Sequence, residues 1–179
     1  MERLIIEELL QWKTSPRRKP LILNGARQVG KTWILKHFGE MHYDNVAYIN
    51  CDKESLAAKL FEDYDVKRII QALETMTNTQ IVAGKTLIII DEIQEVPRGL
   101  HALKYFAESA PEQHIAVAGS LLGLLLHQGE SFPVGKVNML QMYPMTFLEF
   151  LKAIGEDKRA PVKVRILPDG QARVVPAGH

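Results

Sequence analysis

One stretch limits the possible folds more than any other: "GARQVGKT", Gly25 to Thr32, set between the apolar run "PLILN" and the helical pattern "WILKHF". Two glycines, a lysine and a hydroxyl residue match G-x-x-x-x-G-K-[ST], a loop that wraps a nucleotide's phosphates where a strand passes into a helix. Glycine lets the backbone curl into positive φ and approach the phosphates with no Cβ in the way. The curled chain then turns successive N–H groups inward, an anion nest at a helix N-terminus. Lys31 adds a full positive charge near the β and γ phosphates, and Thr32 offers a hydroxyl to Mg²⁺. The candidate nucleotide-binding residues are therefore Gly25, Ala26, Arg27, Gln28, Val29, Gly30, Lys31, Thr32 and Trp33. A Gly-rich strand-to-helix turn that binds nothing is the bland alternative. The flanking strand and helix argue against it, because the motif requires both.

A phosphate loop by itself only binds; hydrolysis needs a metal anchor and a group that activates water. The run "TLIIIDEIQ" supplies candidates for both. Asp91 ends four consecutive aliphatics, which places it at the carboxyl edge of a strand beside the phosphate loop. There it is the metal-site candidate, together with Thr32. Glu92 follows and points elsewhere, where its carboxylate is placed to polarise the attacking water. An acidic pair can also simply open an exposed turn, and the presence of Gly25–Thr32 is what weighs against that.

The chain around these motifs alternates. Apolar runs at Leu21–Asn24, Asn45–Asn50, Thr86–Asp91 and His114–Gly119 lack period-two polarity, as do strands buried on both faces of a parallel sheet. Helical patterns are expected at residues 2–13, 31–38, 54–64, 66–76 and about 98–109. Strand–helix alternation predicts an α/β sandwich with helices on both faces of the sheet. After Phe150 the pattern changes: alternating Val162, Val164 and Ile166, then "PDG", then Ala172 and Val174, predict a β-hairpin around Pro168–Gly170. The expected organisation is a core over 1–155 and an atypical tail over 156–179.

Composition narrows the partners. The 179 residues suit one domain, and a net charge of +1 gives no field that would draw the chain to nucleic acid or an anionic membrane. The acidic start "MERLIIEELLQWK" is wrong for a signal peptide, and the longest apolar stretch, Ile115–Leu126, is too short to span a bilayer. Cys51, the lone cysteine, has no partner for a disulfide, and the six histidines show no metal-ligand spacing. A cytoplasmic protein without a membrane partner is expected.

"ILNGARQVGKT", "YIN", "LIIIDEIQEVP", "VAGS" and "MYPMTFLEFL" occur in the order and spacing of a family of predicted prokaryotic AAA+ ATPases, which residues 15–153 resemble. The resemblance implies a P-loop NTPase of AAA+ type, a three-layer α/β sandwich with the phosphate-loop strand central in a parallel sheet. It implies ATP and Mg²⁺ as ligands, with Asp91 anchoring the metal and Glu92 activating water. It places Ser120 at the family's polar sensor, a second candidate catalytic residue, although a serine after Gly119 also suits a helix cap. Where relatives usually carry Gly-Arg, this chain has Gly135-Lys136, which keeps the charge but loses the planar fork. The resemblance stops at residue 153, so this chain is expected to lack the family's C-terminal domain of unknown function and a helical lid. The tail reads as the altered end of a truncated gene, an artificial end or a genuine variant. The expected function is an ATPase core acting on an unknown partner or through self-association. Its rivals are a nucleotide-gated binding module and a truncated member with little turnover. Arg98 and Lys136 are the candidates for an activating cation.

Overall fold

The computed structural model describes residues 5–53, 56–96, 98–120, 133, 135–144, 163–166 and 172–175. They divide between a larger unit, Leu4–Pro144, and a smaller one made of Met1–Arg3 with Met145–His179. The larger unit runs α1 (Ile5–Thr14), β1 (Leu21–Gly25), α2 (Lys31–His42), β2 (Asn45–Asn50), α3 (Ala57–Leu60) and α4 (Val66–Thr77). It continues with β3 (Thr86–Asp91), a single 3-10 turn at Ile93–Glu95, α5 (Gly99–Ser109), β4 (His114–Ser120) and β5 (Asn138–Met142).

Five strands form an all-parallel sheet in the order β2-β3-β4-β1-β5. Side chains alternate between its faces, so β1 to β4 each feed two cores, while β5 contributes to one. Leu21, Leu23, Leu87, Ile89, Ala116 and Ala118 pack with Ile34, Leu35 and Phe38 of α2 and with Ile5, Leu9 and Trp12 of α1. Ile22, Ile88, Ile90, Ile115 and Val117 face the other way, onto Val66, Ile69 and Leu73 of α4 and Ala102, Leu103 and Phe106 of α5. This is a three-layer α/β sandwich of the P-loop NTPase kind. Burial on both faces explains why β1 and β3 read as unbroken apolar runs.

Three differences from the sequence expectation have local causes. Of the helix expected over 54–64, the described residues form only Ala57–Leu60, and it stops there because the aspartates that follow satisfy the backbone in other ways. Asp63 Oδ1 accepts from Asp65 N at 3.1 Å, and Asp65 Oδ1 caps α4 by accepting from Lys67 N and Arg68 N. Helix α2 runs past Phe38 to His42, carrying Gly39 against Val46. Strand β5 carries no strong sequence signal. It is an edge strand, and "NMLQM" has one apolar face at most.

In the smaller unit, β6 (Lys163–Ile166) and β7 (Ala172–Val175) pair antiparallel, with Val164 opposite Val174. The turn expected around Pro168–Gly170 and the "MTFLEFL" segment beyond Pro144 lie outside the described residues.

Candidate functional site

The loop from Gly25 to Gly30 leaves β1 at its carboxyl end and opens directly into α2. Gly30 is the N-cap of α2 at φ 93°, and Gln28 also has positive φ, 64°. These left-handed turns fold the loop back over its own helix end. Gly25 is needed for a different reason. A Cβ there would lie 2.3 Å from the carbonyl oxygen of Met142, its ladder partner on β5. The first glycine of the motif is thus fixed by the sheet.

Lys31 is buried, 8% exposed, and its Nζ donates to the carbonyls of Gly25 (2.9 Å) and Ala26 (2.7 Å). Burial lowers the pKa of this ammonium; Glu92 and Asp91 oppose the shift, and Arg27 adds to it. Asp91, 3% exposed, ends β3. Its Oδ2 accepts from Thr32 Oγ1 at 2.6 Å and from the Tyr48 hydroxyl at 3.2 Å. Two motifs 59 residues apart in sequence therefore meet through one hydrogen bond. Among the described residues this joins the metal-site candidates, Thr32 and Asp91, directly.

A cavity of about 630 Å³ opens beside Thr32, a volume typical of a small-ligand site, and Asp91 lies behind Thr32 without lining the cavity. Arg27, Gln28, Gly30, Lys31, Thr32 and Trp33 line it from the loop and the start of α2. Glu92 lines it from the other side, in the left-handed region at φ 51°, which turns its side chain away from that of Asp91. Its Oε2 accepts from Gln94 Nε2 at 2.5 Å. Ala26 contributes its carbonyl to Lys31, while Val29 packs partly against the α1–α2 core and does not line the cavity. Trp33 is 46% exposed and stacks on His37, with centroids 4.8 Å apart. Ser120 ends β4 opposite Gly25 in the ladder, so its backbone is next to the loop; its side chain is not described.

Sequence inspection missed four lining residues: Asn50, Asp52, Lys53 and Glu95. Asn50 ends β2, and Asp52 and Lys53 follow it. Asn50 Oδ1 accepts from Asp52 N and Lys53 N and folds that turn toward the cavity. The available signal was "NCDK" at the end of a strand, here the half-buried edge strand β2 rather than one buried on both faces, since parallel strands deliver their carboxyl ends to one ligand crevice. Cys51, in the same turn, is buried, and its thiol pKa is pushed up to about 12, by burial first and then by Asp91, Glu92 and Glu95.

The two cations named from sequence lie elsewhere. Arg98 Nη1 donates to the Glu62 carbonyl at 2.7 Å, and Lys136 pairs with Glu108 at 3.0 Å; neither lines the cavity. Among the described residues there is no cluster of three or more His, Cys, Asp or Glu set to hold a metal, and no helix long and apolar enough to cross a membrane.

Residues 17–151 match the model of a family described as AAA domain. An uncharacterized protein of Haemophilus influenzae is 26% identical over 162 residues, 87% of this chain and 38% of that protein. The chain thus spans well under half of this curated relative. Among solved structures, the RuvB Holliday junction branch migration motor of Thermotoga maritima superposes with a TM-score of 0.52 at 15% identity, covering 86% of this chain and 49% of that one. A variant of the same protein gives 0.50 at 16%, covering 84% and 46%. At such identities the likeness is one of fold.

Proposed function

The chain belongs to the AAA domain family, and from that premise we propose that it is an ATP-binding core that hydrolyses ATP with Mg²⁺. The observation that supports this reading is the hydrogen bond that ties buried Asp91 to Thr32, a residue that lines the cavity together with Lys31 and Glu92. Binding would use the loop's N–H groups and Lys31, whose ammonium now spans two loop carbonyls and is free to exchange them for phosphate oxygens. A hydroxyl and a carboxylate 2.6 Å apart are hard oxygen donors that suit Mg²⁺, which takes few protein ligands beside phosphate. When bound, the ion would offset negative charge on the β and γ phosphates. Glu92 would accept the proton of a water as its oxygen bonds to the γ phosphorus and the bond to the ADP oxygen breaks. Ser120 would reach the γ-phosphate from the end of β4.

The test separates binding from chemistry. Glu92→Gln keeps the shape and removes the basic carboxylate, so ATP still binds in calorimetry while hydrolysis falls about 10²–10⁴-fold. Asp91→Asn instead weakens the Mg²⁺-dependent part of binding. A wild type that hydrolyses ATP and a Glu92→Gln variant equally fast would overturn the assignment of the base. A nucleotide-gated binding module with slow turnover is the second reading. It is favoured by the engagement of Arg98 and Lys136 away from the cavity. Partners, self-association and cytoplasmic location belong to the same proposal.

A further inference from the structure

Gln94 is 6% exposed, yet it lies between two carboxylates that line the cavity. Its Nε2 donates to Glu92 Oε2 at 2.5 Å and stands 3.4 Å from Glu95 Oε1. Its Oε1 is buried with no partner among the described residues. An unpaired buried acceptor is costly, so the amide would turn if turning improved matters. Turning it would aim the carbonyl oxygen at two carboxylates, exchanging an unpaired atom for two repulsive contacts. The two acids therefore fix the amide's orientation, and the amide in turn fixes them.

The consequence falls on Glu92. Its backbone is left-handed, φ 51°, a conformation uncommon for a side-chain-bearing residue. The 3-10 turn that follows brings residue 94 back under residue 92, where Glu95 N donates to the Glu92 carbonyl at 2.9 Å. Gln94 thus occupies one carboxylate oxygen of Glu92. The other, Oε1, accepts no hydrogen bond among the described residues and is left for a water in the cavity.

We propose that Gln94 is a positioning residue that tethers the Glu92 carboxylate by one oxygen and holds the other toward the nucleotide's attacking water. This inference rests on the ATPase reading above. Among the described residues, Asp91 and Glu95 are the other acids of this segment, and neither accepts from the Gln94 amide as closely as Glu92 does.

The test is a double-variant cycle of Gln94→Met with Glu92→Gln, with a thermal cycle run in parallel. Methionine fills a similar volume and removes both the donor and the orphaned oxygen, so the buried site tolerates it. In single-turnover hydrolysis, Gln94→Met alone is expected to slow the chemical step about tenfold or more with the dissociation constant for ATP within about twofold. Added to Glu92→Gln, it should change the rate by less than about twofold, because the group it positions is gone. Gln94→Met at the wild-type rate, or an equal loss in both backgrounds, overturns the tether. The second measurement needs no turnover. The thermal midpoints, without nucleotide, of the parallel cycle of Gln94→Met with Glu92→Ala, which removes both carboxylate oxygens and with them the tether, should be non-additive, and additive midpoints also overturn it. Glu92→Gln hydrolysing at the wild-type rate refutes the base assignment instead, and the thermal cycle still decides whether the tether exists.

Discussion

Replacing Gly25 with alanine separates the demands of the sheet from those of the ligand. The added Cβ would meet the Met142 carbonyl oxygen at 2.3 Å and its carbon at 3.2 Å. The closer contact is roughly 1 Å inside the distance at which non-bonded atoms pack. Both are backbone atoms of the last residue of β5, so no side-chain rotation relieves the clash. β5 must shift away from β1, and that shift opens the ladder at the Gly25–Met142 rung. Overpacking costs about 1–3 kcal/mol, and a lost ladder hydrogen bond adds about 0.5–1.5 kcal/mol. The expected loss is therefore about 1.5–4.5 kcal/mol, a large share of the 5–15 kcal/mol typical of a whole domain. The assay is urea denaturation of nucleotide-free protein followed by circular dichroism, with the denaturant slope checked for a change. Gly84→Ala is the control: it has φ 72° and nothing within 4 Å, so it carries only the left-handed strain of about 1–2 kcal/mol. If nucleotide-free Gly25→Ala unfolds within about 0.5 kcal/mol of the wild type, the sheet does not require this glycine. It would then be there for the phosphates alone.

Two further outcomes are expected. Lys31→Ala removes the ammonium that spans the Gly25 and Ala26 carbonyls. Loss of that charge-assisted contact should weaken ATP binding by about 1.5–3 kcal/mol, or roughly 10–150-fold, and unchanged affinity in calorimetry would mean the loop does not hold the phosphates. At the other end of the sheet, His114 is buried against Trp12 and Tyr43, and its Nδ1 shares a 2.6 Å hydrogen bond with the Tyr43 hydroxyl. Burial, with Arg18 and Lys13 nearby, lowers its pKa from 6.5 to about 4. As the pH falls, the unfolded chain takes up this proton first, so the contribution is full above about 6.5 and is lost as the pH falls to about 4. The thermal midpoint should drop across that window less steeply in His114→Gln than in the wild type, and parallel profiles would contradict the assignment.

Much of the scaffold was legible because its cause is local. Leu21–Gly25 and Thr86–Asp91 are buried on both faces, and that condition writes an unbroken apolar run into the sequence. The loop motif was legible because an anion nest needs particular residues at particular places. What stayed hidden depends on distant neighbours. Nothing in "NMLQM" announces a strand, since an edge strand is made by the β1 ladder it joins. Nor does "NCDK" show by itself that Asp52 and Lys53 reach the cavity, which follows only from β2 lying beside β3 in register, with Asn50 opposite Asp91. The family match, for its part, reports the fold's ancestry and leaves these contacts unspecified.

The cations show the same division most clearly. Arg98 and Lys136 are the cations the sequence offers, with no clear motif around either, and local geometry engages both elsewhere. Arg98 is the left-handed N-cap of α5, which directs its guanidinium onto the Glu62 carbonyl and over the Tyr64 ring. Lys136 is drawn to Glu108 at the end of α5. The cavity keeps two other cations, Arg27 and Lys53, beside Lys31. Both are exposed, and neither makes a salt bridge among the described residues. A cation already paired loses that partner when it moves to a phosphate, whereas an unpaired one gives up only water. On the proposed ATP reading, electrostatics therefore favours Arg27 and Lys53 over the sequence candidates as the groups that would meet the terminal phosphate. Arg27 sits inside the loop itself and already acts on Lys31 through their charges.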